Sequence, residues 1–305
     1  MNQNLFQRIL FTTLLFFSFQ ATLIFVEMPL YIQLFFLLLS FGYSASFLSL
    51  YMMKSSHINE LSLNNIFIFF VFLWGSTIIY NFEDANHIML LEFIVKTLSF
   101  ISFYKNMEKL LPKKVNFGVT ILFYALNHAT NHFLLNNFFA FNLSFATIRY
   151  LSPKTFKNLI IFMVLSFIYE FYWVYYSDKE LYLLNSVNGP IKIVFPMQNG
   201  YSFIGIIDLI IPGMVLNFAL NYDCFRLGVK NKEQFELLDE KNTIYFNFIF
   251  CSFFVGLLTL YSVLTNTHTS QALLCYVLTS CGLGFWFLGY KRNEMKHLLS
   301  FEWMD

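Results

Sequence analysis

The sequence predicts an all-α, polytopic transmembrane protein, on three observations. Of its 305 residues 57% are hydrophobic and 12% charged, whereas soluble domains carry about 25% charged residues. Apolar runs near the roughly 20 residues that a bilayer-spanning helix needs recur along nearly the whole chain. Lysine and arginine fall almost entirely on one side of the resulting topology, as positively charged loops that resist translocation should.

Taken in order, the apolar segments lie at about 9–26, 31–53, 66–82, 87–104, 117–135, 137–151, 158–176, 202–222, 243–265 and 268–290. Short polar stretches separate them: Lys54 to Asn65, Lys105 to Lys114, Ser152 to Lys157 and, longest, Asp223 to Asn242. The first segment follows Arg8 and also fits the h-region of a signal peptide, but no small-x-small cleavage site stands out before Glu27, which favours a retained helix. With ten spans, the N-terminus and the loops after even-numbered spans share a side. That side holds 16 of the 19 basic residues, leaving Lys179 and Lys192 opposite and Lys96 within a span. The expected C-terminus is therefore cytosolic.

Other functional classes find little support. A net charge of +1 gives no pull towards nucleic acid. Cys224, Cys251, Cys275 and Cys281 lack the paired spacing of metal sites, and His128 and His132 in HATNH lack the glutamate of an HExxH site. No cofactor or metal is expected. The 42 Phe and 18 Tyr read as packing in a lipid-facing chain.

Ionisable residues within a span are expensive and invite a functional explanation unless a neighbour neutralises them. Glu92 and Lys96 stand i,i+4 with the acid first, the better order for a helical ion pair, and read as structural. Glu170 and Asp208 have no basic residue at helical spacing on their own spans. Glu170 shares a helix face with Ser166 and Trp173. Asp208 has Gly205 three residues before it and Pro212 four after; the glycine permits close backbone approach, and the proline withholds an amide one turn on. Two facing carboxyls in low dielectric cannot both ionise cheaply, so one keeps a proton and the other loses it. That asymmetry suits activation of water and protonation of a carbonyl. It suits equally an ion or proton path, and spacing alone leaves both open.

Residues 136–300 carry a resemblance. NNFFAFNLSFA, FIYEFYWVY, PIKIVFP, GIIDLIIPG, HTSQALLCY and KHLLSFEW occur in the order and spacing seen in signal peptide peptidases, the presenilin-like intramembrane aspartyl proteases. PIKIVFP nearly repeats that family's PIKLVFP, and GIIDLIIPG resembles its GLGDIVIPG. The resemblance implies a nine-helix fold with a possible extra N-terminal helix. It divides the chain into residues 1–26 (extra helix or signal peptide), 27–135 (N-terminal helices) and 136–305 (catalytic-core-like helices). It also implies that Glu170 and Asp208 are the catalytic pair, with Tyr169, Gly205, Pro212, Gln271, Ala272 and Leu273 supporting them. Pro190, Ile191, Lys192, Ile193, Val194, Phe195 and Pro196 would then offer substrate an extended edge. Three positions depart from the family pattern: Glu170 replaces an aspartate, Ile207 a glycine and Gln271 a proline. The loop Ser177 to Tyr201 lies opposite the basic loops, as in signal peptide peptidases and unlike presenilins. The implied activity is cleavage of signal peptides or type II transmembrane helices in the endoplasmic reticulum membrane. The alternative is a relative that binds transmembrane helices or quality-control partners without cutting them.

Overall fold

The computed structural model describes residues 85–108, 111–130, 132–177, 186–197, 200–228, 243–267 and 271–301. The three spans expected before residue 85, and the fate of residues 1–26, lie outside them. The elements are α1 (Ala85–Met107), α2 (Lys113–Thr130), α3 (Phe133–Tyr150), α4 (Phe156–Tyr175), a hairpin of β1 (Lys192–Met197) and β2 (Gly200–Gly205), α5 (Ile207–Arg226), α6 (Ile244–Thr267), α7 (Leu273–Lys291) and the short α8 (Met295–Leu299). The protein is a polytopic helical membrane protein. Among the described residues α4, α7 and residues 244–264 of α6 are long and apolar enough to cross a bilayer.

Most predicted spans coincide with one helix each, and the 202–222 span needs correction. Its first residues form β2, and the helix begins only at Ile207. A run of apolar residues this short reads alike as buried strand or helix, and pairing with β1 decides for the strand. The boundary between the spans at 117–135 and 137–151 also moves, since α2 ends at Thr130 and α3 starts at Phe133.

Local chemistry sets several helix starts. The Thr155 hydroxyl accepts from the Asn158 amide at 3.1 Å and caps α4. His132 Nδ1 accepts from the Leu134 amide at 3.3 Å at the start of α3. α5 lacks a side-chain cap; the hairpin feeds it directly, and the Ile206 amide donates to the Ile191 carbonyl at 2.9 Å.

α5 is the centre of the assembly. Every residue from Leu209 to Cys224 is buried, as expected of a helix surrounded by other helices, and α5 packs against α3, α4, α6 and α7. α6 and α7 meet most closely, because Gly256 lies where an added Cβ would stand 2.8 Å from the Val277 Cα. Small residues of this kind let membrane helices approach backbone to backbone.

Candidate functional site

Phe156 at the start of α4, Phe218 late in α5 and Phe285 late in α7 meet, with centroids 5.9 Å apart for the tilted pair Phe156–Phe218 and 5.4 Å for the edge-to-face pair Phe156–Phe285. With the contact of Glu170, late in α4, to Cys275, early in α7, this makes α4 antiparallel to α7; α5, the next span after α4, crosses the bilayer in the opposite sense to it. Counted from the phenylalanine contact at about 1.5 Å per residue, Glu170 lies about 21 Å along α4, while Asp208 and Cys275 lie about 15 Å along α5 and α7. Helical side chains lean towards their own N-terminus, so Glu170 leans back towards the other two. The Cys275 amide donates to Glu170 Oε2 at 3.2 Å. Cys275 is the third residue of α7, and its amide is one of those a helix leaves unsatisfied in its first turn. Glu170 is only 6% exposed, and Ser166 and Trp173 are buried on the same face.

Asp208 stands half-buried in the first turn of α5, directly after the hairpin. Pro212 lies inside α5 and cannot supply the amide that would bond the Asp208 carbonyl. Tyr169 is buried and tilts against Trp173 at 6.3 Å. Gly205 ends β2 opposite Lys192, and Ile207 opens α5 half-buried.

Gln271 does what proline could not. Its Oε1 accepts from the hydroxyls of Tyr175 at 2.8 Å and Tyr276 at 2.9 Å, tying the end of α4 to the entry of α7. Ala272, fully buried, is the residue from which α7 begins, and Leu273 is its first residue.

The hairpin carries PIKIVFP on β1. Its register pairs Ile193 with Ile204, Val194 with Phe203 and Phe195 with Ser202. Ile193 and Phe195 are fully buried, Pro190 is buried, and Ile191, Lys192 and Val194 are partly so. Pro196 pairs with Tyr201. The outward edge of β1 is already occupied at two residues: Asn137 accepts from the Val194 amide at 2.7 Å and donates to its carbonyl at 2.8 Å, and Asn136 donates to the Lys192 carbonyl at 3.0 Å. These asparagines imitate a neighbouring strand. The edge expected from PIKIVFP therefore faces α3. Among the described residues β2 has a strand on one side only. Since Ile191 bonds Ile206, antiparallel alternation turns the backbone groups of Tyr201, Phe203 and Gly205 away from β1.

Two anchoring features went unread in the sequence. Glu92 does pair with Lys96 at 3.5 Å, and its other oxygen accepts from the Asn188 amide at 2.7 Å, pinning the turn before β1 to α1. Lys192 lies with its ammonium 5.1 Å from the Phe203 ring centroid; burial pulls it below the ordinary lysine range, and the Glu92 charge opposes that.

The family profile described as signal peptide peptidase matches residues 14–305. Human signal peptide peptidase is 28% identical over 182 residues, covering 56% of this chain and 44% of its own length. Intramembrane protease 2 of Caenorhabditis elegans is 23% identical over 180 residues (56% and 38%). Signal peptide peptidase-like 1 of Oryza sativa subsp. japonica is 20% identical over 210 residues (55% and 56%). The chain thus spans about half the length of the curated relatives it matches. No solved structure matches it. With the profile covering nearly the whole chain and the motif-bearing segments converging on one end of α4, α5 and α7, the chain belongs to the signal peptide peptidase family.

Proposed function

We propose that the protein is an intramembrane aspartyl-type protease that cleaves transmembrane helices, with Glu170 and Asp208 as its catalytic carboxyls. What supports this is that both acids lie near one end of α4 and α5, which pack together, with Asp208 directly after a hairpin in which, among the described residues, β2 has a strand on one side only. A helix in the bilayer hides its carbonyls in its own hydrogen bonds, and unwinding it in lipid leaves costly unsatisfied groups. Adding the unwound segment as a strand along Tyr201, Phe203 and Gly205 replaces those bonds and leads the chain towards Asp208. One carboxylate then takes a proton from water as the water oxygen bonds to the scissile carbon. The other, protonated, carboxyl gives its proton to the carbonyl oxygen. Collapse of the resulting diol breaks the C–N bond as the nitrogen gains a proton.

The experiment is cleavage of a signal-peptide reporter by purified protein in liposomes, with Asp208→Ala as the null. Activity in the unaltered protein that Asp208→Ala removes supports the reading, and an inactive unaltered protein under conditions where a relative cuts overturns it. By family likeness the site would work in the endoplasmic reticulum membrane, and the placement of lysine and arginine would leave the C-terminus cytosolic.

A second reading is favoured by the Glu170–Cys275 bond and the Gln271 cluster, which give two of the departing residues structural partners: a helix-binding relative without cleavage. Under it, Glu170→Asp, Ile207→Gly and Gln271→Pro together create activity that the unaltered protein lacks. Equal activity before and after would reject it.

A further inference from the structure

Away from the two acids, a groove of about 400 Å³ runs between α4 and α7 and is closed at one end by α8. Its walls are almost wholly apolar; Ile160, Val164 and Phe167 line it from α4, Gly282 and Trp286 from α7, and Leu299 from α8. Val164, Trp286 and Leu299 are each more than half exposed, so the groove opens towards lipid.

Its length and width select the occupant. From Phe156 to Phe167 the groove follows α4 for about 16 Å, close to half of the roughly 30 Å hydrocarbon core and so to the depth of one leaflet. Spread over that length, 400 Å³ gives a mean cross-section of about 25 Å². A transmembrane helix, about 10 Å across, has a section near 80 Å², several times larger. A single extended acyl chain fits.

Charge selects the headgroup. Lys157 shares a face of α4 with Ile160, Val164 and Phe167 by i,i+3/i+4 spacing, and it stands at the groove's α8 end. On α8, Lys296 lies three residues before Leu299. Both lysines are exposed, with His297 exposed beside Lys296. The acid nearest in sequence, Glu294, is engaged by Arg292 at 3.0 Å and by Arg226 at 3.5 Å, and among the described residues neither lysine makes a salt bridge. Basic side chains at headgroup level attract anionic lipid.

We propose that this groove is a binding site for one anionic phospholipid, with an acyl chain between α4 and α7 and the phosphate held by Lys157 and Lys296. The site is independent of the catalytic reading, because its readout is binding.

Native mass spectrometry of the full chain, titrated with phosphatidylglycerol or phosphatidylcholine of identical chains, tests it. The unaltered protein should hold phosphatidylglycerol at least tenfold more tightly. Lys157→Glu with Lys296→Glu should bring that ratio to about one. Gly282→Leu should weaken both lipids at least tenfold; an added Cβ there makes only an ordinary contact with Met163 Cε at 3.6 Å, and Gly282 lines the groove that the larger side chain would fill. Val164→Trp, at an exposed position, is a second filling variant if Gly282→Leu does not fold. Equal affinity for the two lipids, undiminished binding in a folded filling variant, or competition by glycerol phosphate as effective as by the lipid would overturn the proposal.

Discussion

Glu170 carries one methylene more than the aspartate expected at its position, and the extra reach ends on the Cys275 amide. A longer arm loosens control of where a carboxyl sits, and about 1 Å of displacement can cost on the order of a hundredfold in rate. The bond to α7 counters this by fixing one oxygen. Asp208, set at the start of a buried helix, has no such slack. Asp208→Asn keeps shape and removes the ionisable group, so reporter cleavage in liposomes should fall at least about a hundredfold while the thermal midpoint stays near that of the unaltered protein. Asn137 offers a different residue-scale test. Its amide serves both backbone groups of Val194, and truncation to alanine orphans a donor and an acceptor. Asn137→Ala should cost about 1–3 kcal/mol, read as a lower melting midpoint in detergent.

At the scale of elements, the hairpin divides its labour between its two edges. β1 is held by α3 and by the turn that Glu92 pins, so the proposed reading assigns strand addition to β2. Phe203 pairs with Val194 outside the ladder bonds, so proline there removes an outward amide without breaking the hairpin. Phe203→Pro should reduce reporter cleavage about tenfold or more, whereas Phe203→Ala, which loses the ring over Lys192 but keeps the amide, should retain most of it. Equal loss in both variants would show that the ring, not the edge, matters. At the far end of α5, Asp223 is fully buried; it accepts from the Phe246 amide at 2.8 Å and from Arg226 Nη1 at 2.9 Å. One carboxylate thus satisfies the first turn of α6 and neutralises its own helix's last basic residue.

Over the whole molecule, the two ends of α5 differ in kind. The end at Asp223 is locked by the ion pair of Arg226 with Glu294 and by Phe301, whose ring sits against Phe218, Tyr222 and Phe225 at 5.0–5.5 Å. The other end follows the hairpin directly and carries Asp208 in its first turn. Large apolar side chains such as Val255, Leu283 and Trp286 remain on the outside, where lipid rather than water receives them. In that setting helix association rests on close packing, so the α6–α7 contact is the point most sensitive to volume. Gly256→Leu drives a side chain into the α7 backbone and should destabilise by about 1–3 kcal/mol. The check is an earlier thermal or denaturant transition of the detergent-solubilised chain, alongside a mild change for Gly118→Leu, where an added Cβ meets nothing within 4 Å.

The sequence by itself determined the membrane class, the positions of most helices from α1 to α7, the Glu92–Lys96 pair and the two acids with no basic residue at helical spacing on their own spans. All of these follow from local periodicity, charge placement and helical spacing, which need no knowledge of what lies across the bundle. The motif NNFFAFNLSFA opens on Asn136 and Asn137. Only the tertiary structure decided that Ser202 to Gly205 are strand, that Asn137 takes the edge of Val194, and that Glu170 meets α7 through Cys275. Nothing marked Asp223, which reads as the start of a loop and is buried as a cap for another helix. These outcomes join residues 23 to 105 positions apart. Hydrogen bonds made across such separations leave no period in the chain, because the backbone groups they satisfy are the same at every residue.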